Sequence, residues 1–178
     1  MKSKADLGAS VMARLLNRAK EAGDDYQTLL TAYCFERFLY HLGASPLRDR
    51  FVLKGAMLLR VWSDQPYRAT RDLDLLRRGD GSSAAVVSDL RAIVSAPGPP
   101  DGVTFDADHI AVEAIRAEEE YGGTRARLPA RCGTARLSLQ IDMGVGDAVW
   151  PPARSCAYPG IRSRRDLLRR LQEVKWPA

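Results

Sequence analysis

Two aspartates, Asp72 and Asp74, lie in the segment 71–75, where charged and apolar residues alternate. This alternation predicts a β-strand, so both carboxylates point to one face while Leu73 and Leu75 point to the other. Carboxylates this close repel each other unless a cation lies between them. Because hard oxygen ligands suit Mg²⁺, the pair predicts a magnesium site.

A third acid, Asp142, lies on the polar face of another alternating segment, 136–142, in which Leu137, Leu139 and Ile141 would face the core. Three such acids can hold one or two Mg²⁺ ions that bridge triphosphate oxygens and activate an attacking hydroxyl. Taken alone, an aspartate on the polar face of a strand is more often a solvated side chain than a metal ligand.

A glycine turn precedes the first two acids. Gly55 follows the apolar segment 51–53, a predicted strand, and leads into a predicted helix over 56–62. Such a turn lets the backbone approach a phosphate, and a helix N-terminus favours its negative charge. Lys54 adds a positive charge beside the turn, and Arg68 is placed to contact a phosphate or to balance the acids.

The elements that must position these residues alternate between helical and extended patterns. Helical periodicity and capping residues predict helices over 7–43 (two helices, with Gly23 as a stop and Asp24 or Asp25 as a cap) and from Ser82 or Ser83 to 94. Further strands are predicted over 110–115, where a helix is the alternative, and over 124–130. We therefore expect an α/β (α+β) protein.

Length and charge divide the chain unevenly. A chain of 178 residues predicts one domain by default. The whole net charge of +5 lies in residues 151–178, which hold seven basic and two acidic residues. We therefore expect a neutral domain over 1–150 and a basic C-terminal tail or helix over 151–178. Within that tail, 161–171 is either an amphipathic helix able to bind RNA phosphates or a frayed terminus.

Composition excludes several classes of protein. Three widely spaced cysteines and two histidines argue against a disulfide framework, a zinc site and a histidine-rich metal centre. No apolar stretch is long enough to span a membrane, and the N-terminus has no secretory pattern. We therefore expect a cytoplasmic protein with no membrane partner, whose chemistry depends on carboxylates and arginines.

The order of these motifs resembles the AbiEii/AbiGii-type nucleotidyltransferase toxin family. The similarity covers residues 8–80 and about 121–147. Three stretches carry it: Phe51-Val-Leu-Lys-Gly-Ala-Met-Leu-Leu59, Tyr67-Arg-Ala-Thr-Arg-Asp-Leu-Asp-Leu75 and Leu139-Gln-Ile-Asp-Met-Gly-Val-Gly-Asp147.

The resemblance implies a polymerase-β-like nucleotidyltransferase fold, with a mixed sheet flanked by helices. It implies the toxin half of a type IV toxin–antitoxin or phage-defence system, with an antitoxin as a possible partner. Studied relatives bind a nucleoside triphosphate (NTP) with Mg²⁺, and some add nucleotides to the 3′ end of tRNA. A nucleotidyl transfer of this kind is therefore the function we expect.

The resemblance also assigns roles to residues. Asp72 and Asp74 match the metal-binding acids of the family, and Asp142 fits the third acid. Gly55 and Ala56 match its phosphate-contacting turn. The nucleotide-binding set that we expect is Lys54, Gly55, Ala56, Arg68 and Thr70. Asp147 matches a family position to which we assign no role.

The similarity stops after Tyr158-Pro159, where family members continue into a helical region with a lysine and an acidic residue that contribute to the site. The chain is therefore expected to be a member shortened at its C-terminus. One alternative is a catalytically inactive member that binds a nucleotide or an antitoxin. Another is a nucleotidyltransferase that acts on a small molecule, such as an aminoglycoside.

Overall fold

Two long helices begin the described part of the chain. The computed structural model describes residues 4–62, 70–115, 123–146, 149, 152–161 and 173–176. Helix α1 spans Lys4–Ala22 and helix α2 spans Tyr26–Ala44. Asp25 caps α2, because its carboxylate accepts a hydrogen bond from the backbone N–H of Thr28 at 2.7 Å. The two predicted helices and the predicted cap are confirmed.

Six strands form a mixed sheet. They are β1 (Phe51–Leu53), β2 (Asp72–Arg77), β3 (Val103–Phe105), β4 (Ala111–Ile115), β5 (Gly123–Cys132) and β6 (Ala135–Val145). The sheet order is β1-β2-β6-β5-β3, and β4 also pairs with β5. Strands β2 and β6 are parallel, whereas the other pairs in this sheet are antiparallel. The strand predicted over 110–115 is therefore confirmed against its helical alternative.

Helices connect and cover these strands. Helix α3 (Gly55–Trp62) follows β1, and helix α4 (Ser83–Val94) follows β2 and is capped by the Ser82 hydroxyl. Apolar side chains of the helices and of one sheet face share a single buried core. Alternation along β2 and β6 places Leu73, Leu75 and Ile141 in this core, and the intervening acids therefore point away from it.

A tight hairpin joins β5 to β6. Cys132 pairs with Ala135, which leaves the two loop residues Gly133 and Thr134. Gly133 has φ +56°, as two-residue hairpin loops require. Helix α1 lies against this loop, since a Cβ built on Gly8 would be 2.3 Å from the backbone nitrogen of Gly133. The two glycines therefore permit a close backbone contact.

A buried cluster of charged side chains lies at the C-terminal end of β2. The Arg77 side chain is fully buried, and its Nε and Nη2 donate to Oδ2 of Asp89 at 2.9 and 2.6 Å. Arg50 donates to the other oxygen of Asp89 at 2.9 Å. Two arginines thus share one carboxylate, which ties β2 to α4.

The C-terminal part contains two strands that the sequence did not predict. Strand β7 (Arg154–Ala157) pairs antiparallel with β8 (Glu173–Trp176). Between them, the Tyr158 hydroxyl donates to the backbone carbonyl of Met57 at 3.2 Å. The backbone N–H of Ile161 donates to Glu36 on α2 at 2.9 Å. This stretch therefore packs on the helices of the main body.

The helix predicted over 161–171 lies almost wholly outside the described residues, and the division of the chain at residue 150 stays a prediction. Among the described helices, none combines the length and the apolar character needed to span a membrane.

Candidate active site

The parallel pairing of β2 with β6 brings the three predicted acids together. Asp74 lies directly opposite Asp142 in the register, and Asp72 lies on the same face two residues earlier. One carboxylate oxygen from each of the three lies within 4.8 Å of the others, and all three side chains are partly buried. The structure thus places the acids as the sequence analysis expects, and their roles stay predictions.

This arrangement changes the pKa of Asp74. Burial of its carboxylate raises its pKa above the ordinary value, and the charges of Asp72 and Asp142 raise it further. The nearby Lys54 lowers the pKa and so partly offsets these effects. A cation bound among the carboxylates would stabilise the ionised form, because it would replace repulsion by attraction.

The glycine turn lies directly against Asp74. Gly55 has φ +64°, and a Cβ built on it would be 1.9 Å from Oδ2 of Asp74. The backbone N–H of Lys54 donates to the carbonyl of Asp74 at 2.9 Å, which fixes the turn to β2. Only glycine therefore fits here. Gly55 is exposed and begins α3, and the partly buried Ala56 follows it in the first turn of that helix.

Of the predicted nucleotide-binding residues Thr70 and Arg68, the structure describes only Thr70. The Thr70 hydroxyl donates to the Asp72 carboxylate and also lies 3.1 Å from the backbone carbonyl of Asp72. Its contacts therefore orient an acid, and its role toward a nucleotide stays a prediction. Arg68 and Asp147 lie outside the described residues.

Arg125 is a site residue that the sequence analysis missed. Its Nε and Nη2 donate to Oδ1 and Oδ2 of Asp142 at 2.8 and 2.7 Å. The amide of Gln140 donates to Oδ2 at 3.3 Å. The hydrogen bonds and charge of Asp142 raise the pKa of Arg125. The turn residues Gly133 and Thr134 were the available signal, because a hairpin there places Arg125 opposite Asp142.

The donor set fits a hard divalent cation. All the donors are carboxylate oxygens, as Mg²⁺ prefers. Octahedral coordination at about 2.1 Å places adjacent ligand oxygens about 3 Å apart and opposite ones about 4.2 Å apart. The upper limit of 4.8 Å on the separations among the three oxygens is close to the larger of these two values. The three acids could therefore hold Mg²⁺.

A comparison with known protein families identifies the family to which the chain is related. Residues 37–165 match the family described as "Nucleotidyl transferase AbiEii toxin, Type IV TA system". The chain belongs to this family. The matched AbiEii segment contains the three acids, the glycine turn and Arg125. The mixed sheet flanked by helices is consistent with the nucleotidyltransferase fold of the family, so the predicted fold class is confirmed.

Comparisons with individual proteins add little to the AbiEii assignment. A search of curated proteins finds no match. Among solved structures, the chain is similar to "Crystal structure of JHP933 from Helicobacter pylori", with 12% identity and a TM-score of 0.47. The similarity covers 86% of this chain and 53% of that one, so the chain spans about half the length of that protein.

The family description is that of a toxin nucleotidyltransferase of a type IV toxin–antitoxin system. Nucleotidyltransferases generally use a divalent metal, and the acidic cluster is a possible place for it in this chain.

Proposed function

We propose that this AbiEii-family chain is a Mg²⁺-dependent toxin that transfers a nucleotide from an NTP to RNA, at the 3′ end of a tRNA, in the cytoplasm. The observation that carries the proposal is the cluster of three carboxylates within 4.8 Å, beside a glycine turn that touches one of them. The choice of tRNA rests on the resemblance to studied family members.

In the proposed site, Asp72, Asp74 and Asp142 hold Mg²⁺. When bound, the ion would offset part of the charge of the triphosphate and polarise its oxygens. The backbone at Gly55 and Ala56, at the N-terminus of α3, receives phosphate oxygens.

Three further side chains complete the nucleotide site in this proposal. The ammonium of Lys54 and the guanidinium of Arg68 attract the remaining phosphate charge. Thr70 keeps Asp72 in place through the hydrogen bond described above and borders the nucleotide.

The proposed reaction is an in-line displacement at the α-phosphorus. The 3′-hydroxyl oxygen of the RNA forms a bond to this phosphorus, and the bond between the phosphorus and the bridging oxygen breaks. Pyrophosphate leaves with the electron pair of that bond. Asp142, which lies beside Asp74 in the register, helps to ionise the attacking hydroxyl, and the proton of the hydroxyl passes to solvent water.

Transfer of label from NTPs to total tRNA in the presence of Mg²⁺ tests the proposal. Metal-assisted stabilisation is worth several kcal/mol, so we expect Asp74→Ala to lower the rate at least about 100-fold. Asp108→Ala is the matched control, since it removes an exposed carboxylate outside the cluster. Equal transfer by the wild type and Asp74→Ala would refute the proposal.

Three additional measurements separate the alternatives. Periodate-treated tRNA, which lacks an intact 3′ terminus, should accept no label if the 3′-hydroxyl is the nucleophile. Transfer to an aminoglycoside but not to tRNA would instead indicate a small-molecule enzyme. Calorimetric binding of NTP and Mg²⁺ without any turnover would indicate a member that only binds.

A further inference from the structure

Asp142 lies between an acid and an arginine in one row across the sheet. Its register partner on β2 is Asp74, and its register partner on β5 is Arg125. Any cation bound between Asp74 and Asp142 would therefore have to share the Asp142 carboxylate with the guanidinium of Arg125.

The hydrogen bonds to Asp142 limit how many lone pairs of its carboxylate remain for a cation. An ionised carboxylate has about two lone-pair positions on each oxygen. Oδ2 accepts from Arg125 at 2.7 Å and from Gln140 at 3.3 Å, whereas Oδ1 accepts only from Arg125 at 2.8 Å among the described contacts. The free position is therefore on Oδ1.

We propose that Arg125 is a positioning residue for the metal site. Its planar guanidinium holds both oxygens of Asp142 in one orientation and leaves a lone pair of Oδ1 for the cation. The inference rests on the proposed function, because it assigns Asp142 as a metal ligand. Partners that orient ligands in this way affect metal affinity or activity about 10- to 100-fold.

The proposal depends on the two parallel N–H groups of the guanidinium rather than on its charge. Arginine donates two parallel N–H groups to one carboxylate, whereas the ammonium of lysine is a point charge on a flexible chain. The pair is also partly shielded, since the side chains of Arg125 and Asp142 are 29% and 16% exposed. A lysine at this position would keep a charge near Asp142 and would lose the fixed orientation.

The same strand offers a matched control. Arg127 lies two residues from Arg125 on the same face, and it contacts Glu113 at 3.4 Å. Both partners of this second pair are more than half exposed. Arg127→Ala therefore removes an arginine of the same strand whose described ion pair is with Glu113 and not with one of the three acids.

The test measures binding of Mn²⁺ alone to the full chain, by electron paramagnetic resonance of the free ion, with Mg²⁺ as competitor. We expect Arg125→Ala and Arg125→Lys each to weaken Mn²⁺ binding about 10- to 100-fold. Arg127→Ala should bind as the wild type does, and Asp74→Ala should bind far more weakly. Thermal unfolding checks that each variant is folded, and Arg125→Lys serves if Arg125→Ala is not.

The outcomes separate the two proposals. Wild-type affinity in Arg125→Lys would overturn the positioning role, because charge alone would suffice, while the metal site itself would stand. Equal affinity of the wild type and Asp74→Ala would overturn the metal site and the positioning role together. In the transfer assay, positioning predicts a higher Mg²⁺ requirement in Arg125→Lys, with the KM for NTP at saturating Mg²⁺ unchanged.

Discussion

Replacement of Gly55 by alanine tests whether the turn is built around Asp74. The change has two separate effects. First, the residue has φ +64°, and an L side chain in this left-handed conformation costs roughly 1–2 kcal/mol. For a chain of this size, such a loss lowers the Tm by about 2–8 °C.

The second effect acts on the site. The new Cβ would lie 1.9 Å from Oδ2 of Asp74, whereas such atoms in proteins stay at least 3.0 Å apart. The Asp74 carboxylate must therefore move by about 1 Å. A displacement of this size can cost about 100-fold in rate, which is about 2.7 kcal/mol of transition-state stabilisation. We expect nucleotidyl transfer and Mn²⁺ binding both to fall.

Gly23→Ala is the control that separates the two effects. Gly23 follows α1 with φ +71°, and a Cβ built on it meets nothing within 4 Å. The Gly23→Ala variant should therefore lose as much in Tm as Gly55→Ala does, but keep full transfer activity and full Mn²⁺ binding. If Gly55→Ala kept wild-type activity at a temperature where it is folded, the close contact with Asp74 would have no functional meaning.

Three further predictions concern stability. Asp89→Asn should destabilise the fold by about 3–5 kcal/mol in urea unfolding, because it leaves the buried charge of Arg77 without its counter-ion; a loss below about 1 kcal/mol would contradict this account. Gly8→Ala should cost about 1–3 kcal/mol, since its Cβ would press on the backbone of Gly133, and an unchanged Tm would mean that helix α1 moves freely. The raised pKa of Asp74 means that the folded chain keeps a proton to higher pH than the unfolded chain, so this group makes stability fall as pH rises from the ordinary carboxyl pKa through the raised one. Without divalent cations, Asp74→Asn should therefore unfold at a higher denaturant concentration than the wild type near pH 7. The difference between the two proteins should shrink toward about pH 4. A difference that did not change with pH would refute the raised pKa of Asp74.

Much of the fold could be predicted because local patterns and tertiary structure agree. In β2 and β6, alternation with period two both identifies the strands and separates the acids from the core residues. The cap at Asp25 and the break at Gly23 are equally local signals. Alternation alone does not show that Asp72, Asp74 and Asp142 converge, since convergence depends on which strands become neighbours.

Features that depend on register or on distant packing were missed. Arg125 itself has no distinctive sequence pattern around it, because its contact with Asp142 follows only from the register set by the turn at Gly133 and Thr134. Strand β7 was also missed: it has only four residues, and three of them, Arg154, Ser155 and Ala157, are exposed. Its partner, β8, is equally short and comes later in the chain. Because both segments are so short, neither shows a periodic pattern.

The position of β6 in the sheet has a consequence for the synthesis of the protein. This strand inserts between β2 and β5, although it is translated after both of them. A nascent chain that has emerged only through β5 therefore carries Asp72, Asp74 and the glycine turn, but lacks the strand that bears Asp142. If the three acids form the centre of a toxin, that centre cannot assemble on a ribosome until β6 has emerged. Fragments from interrupted translation before that point would lack the third acid of the proposed site.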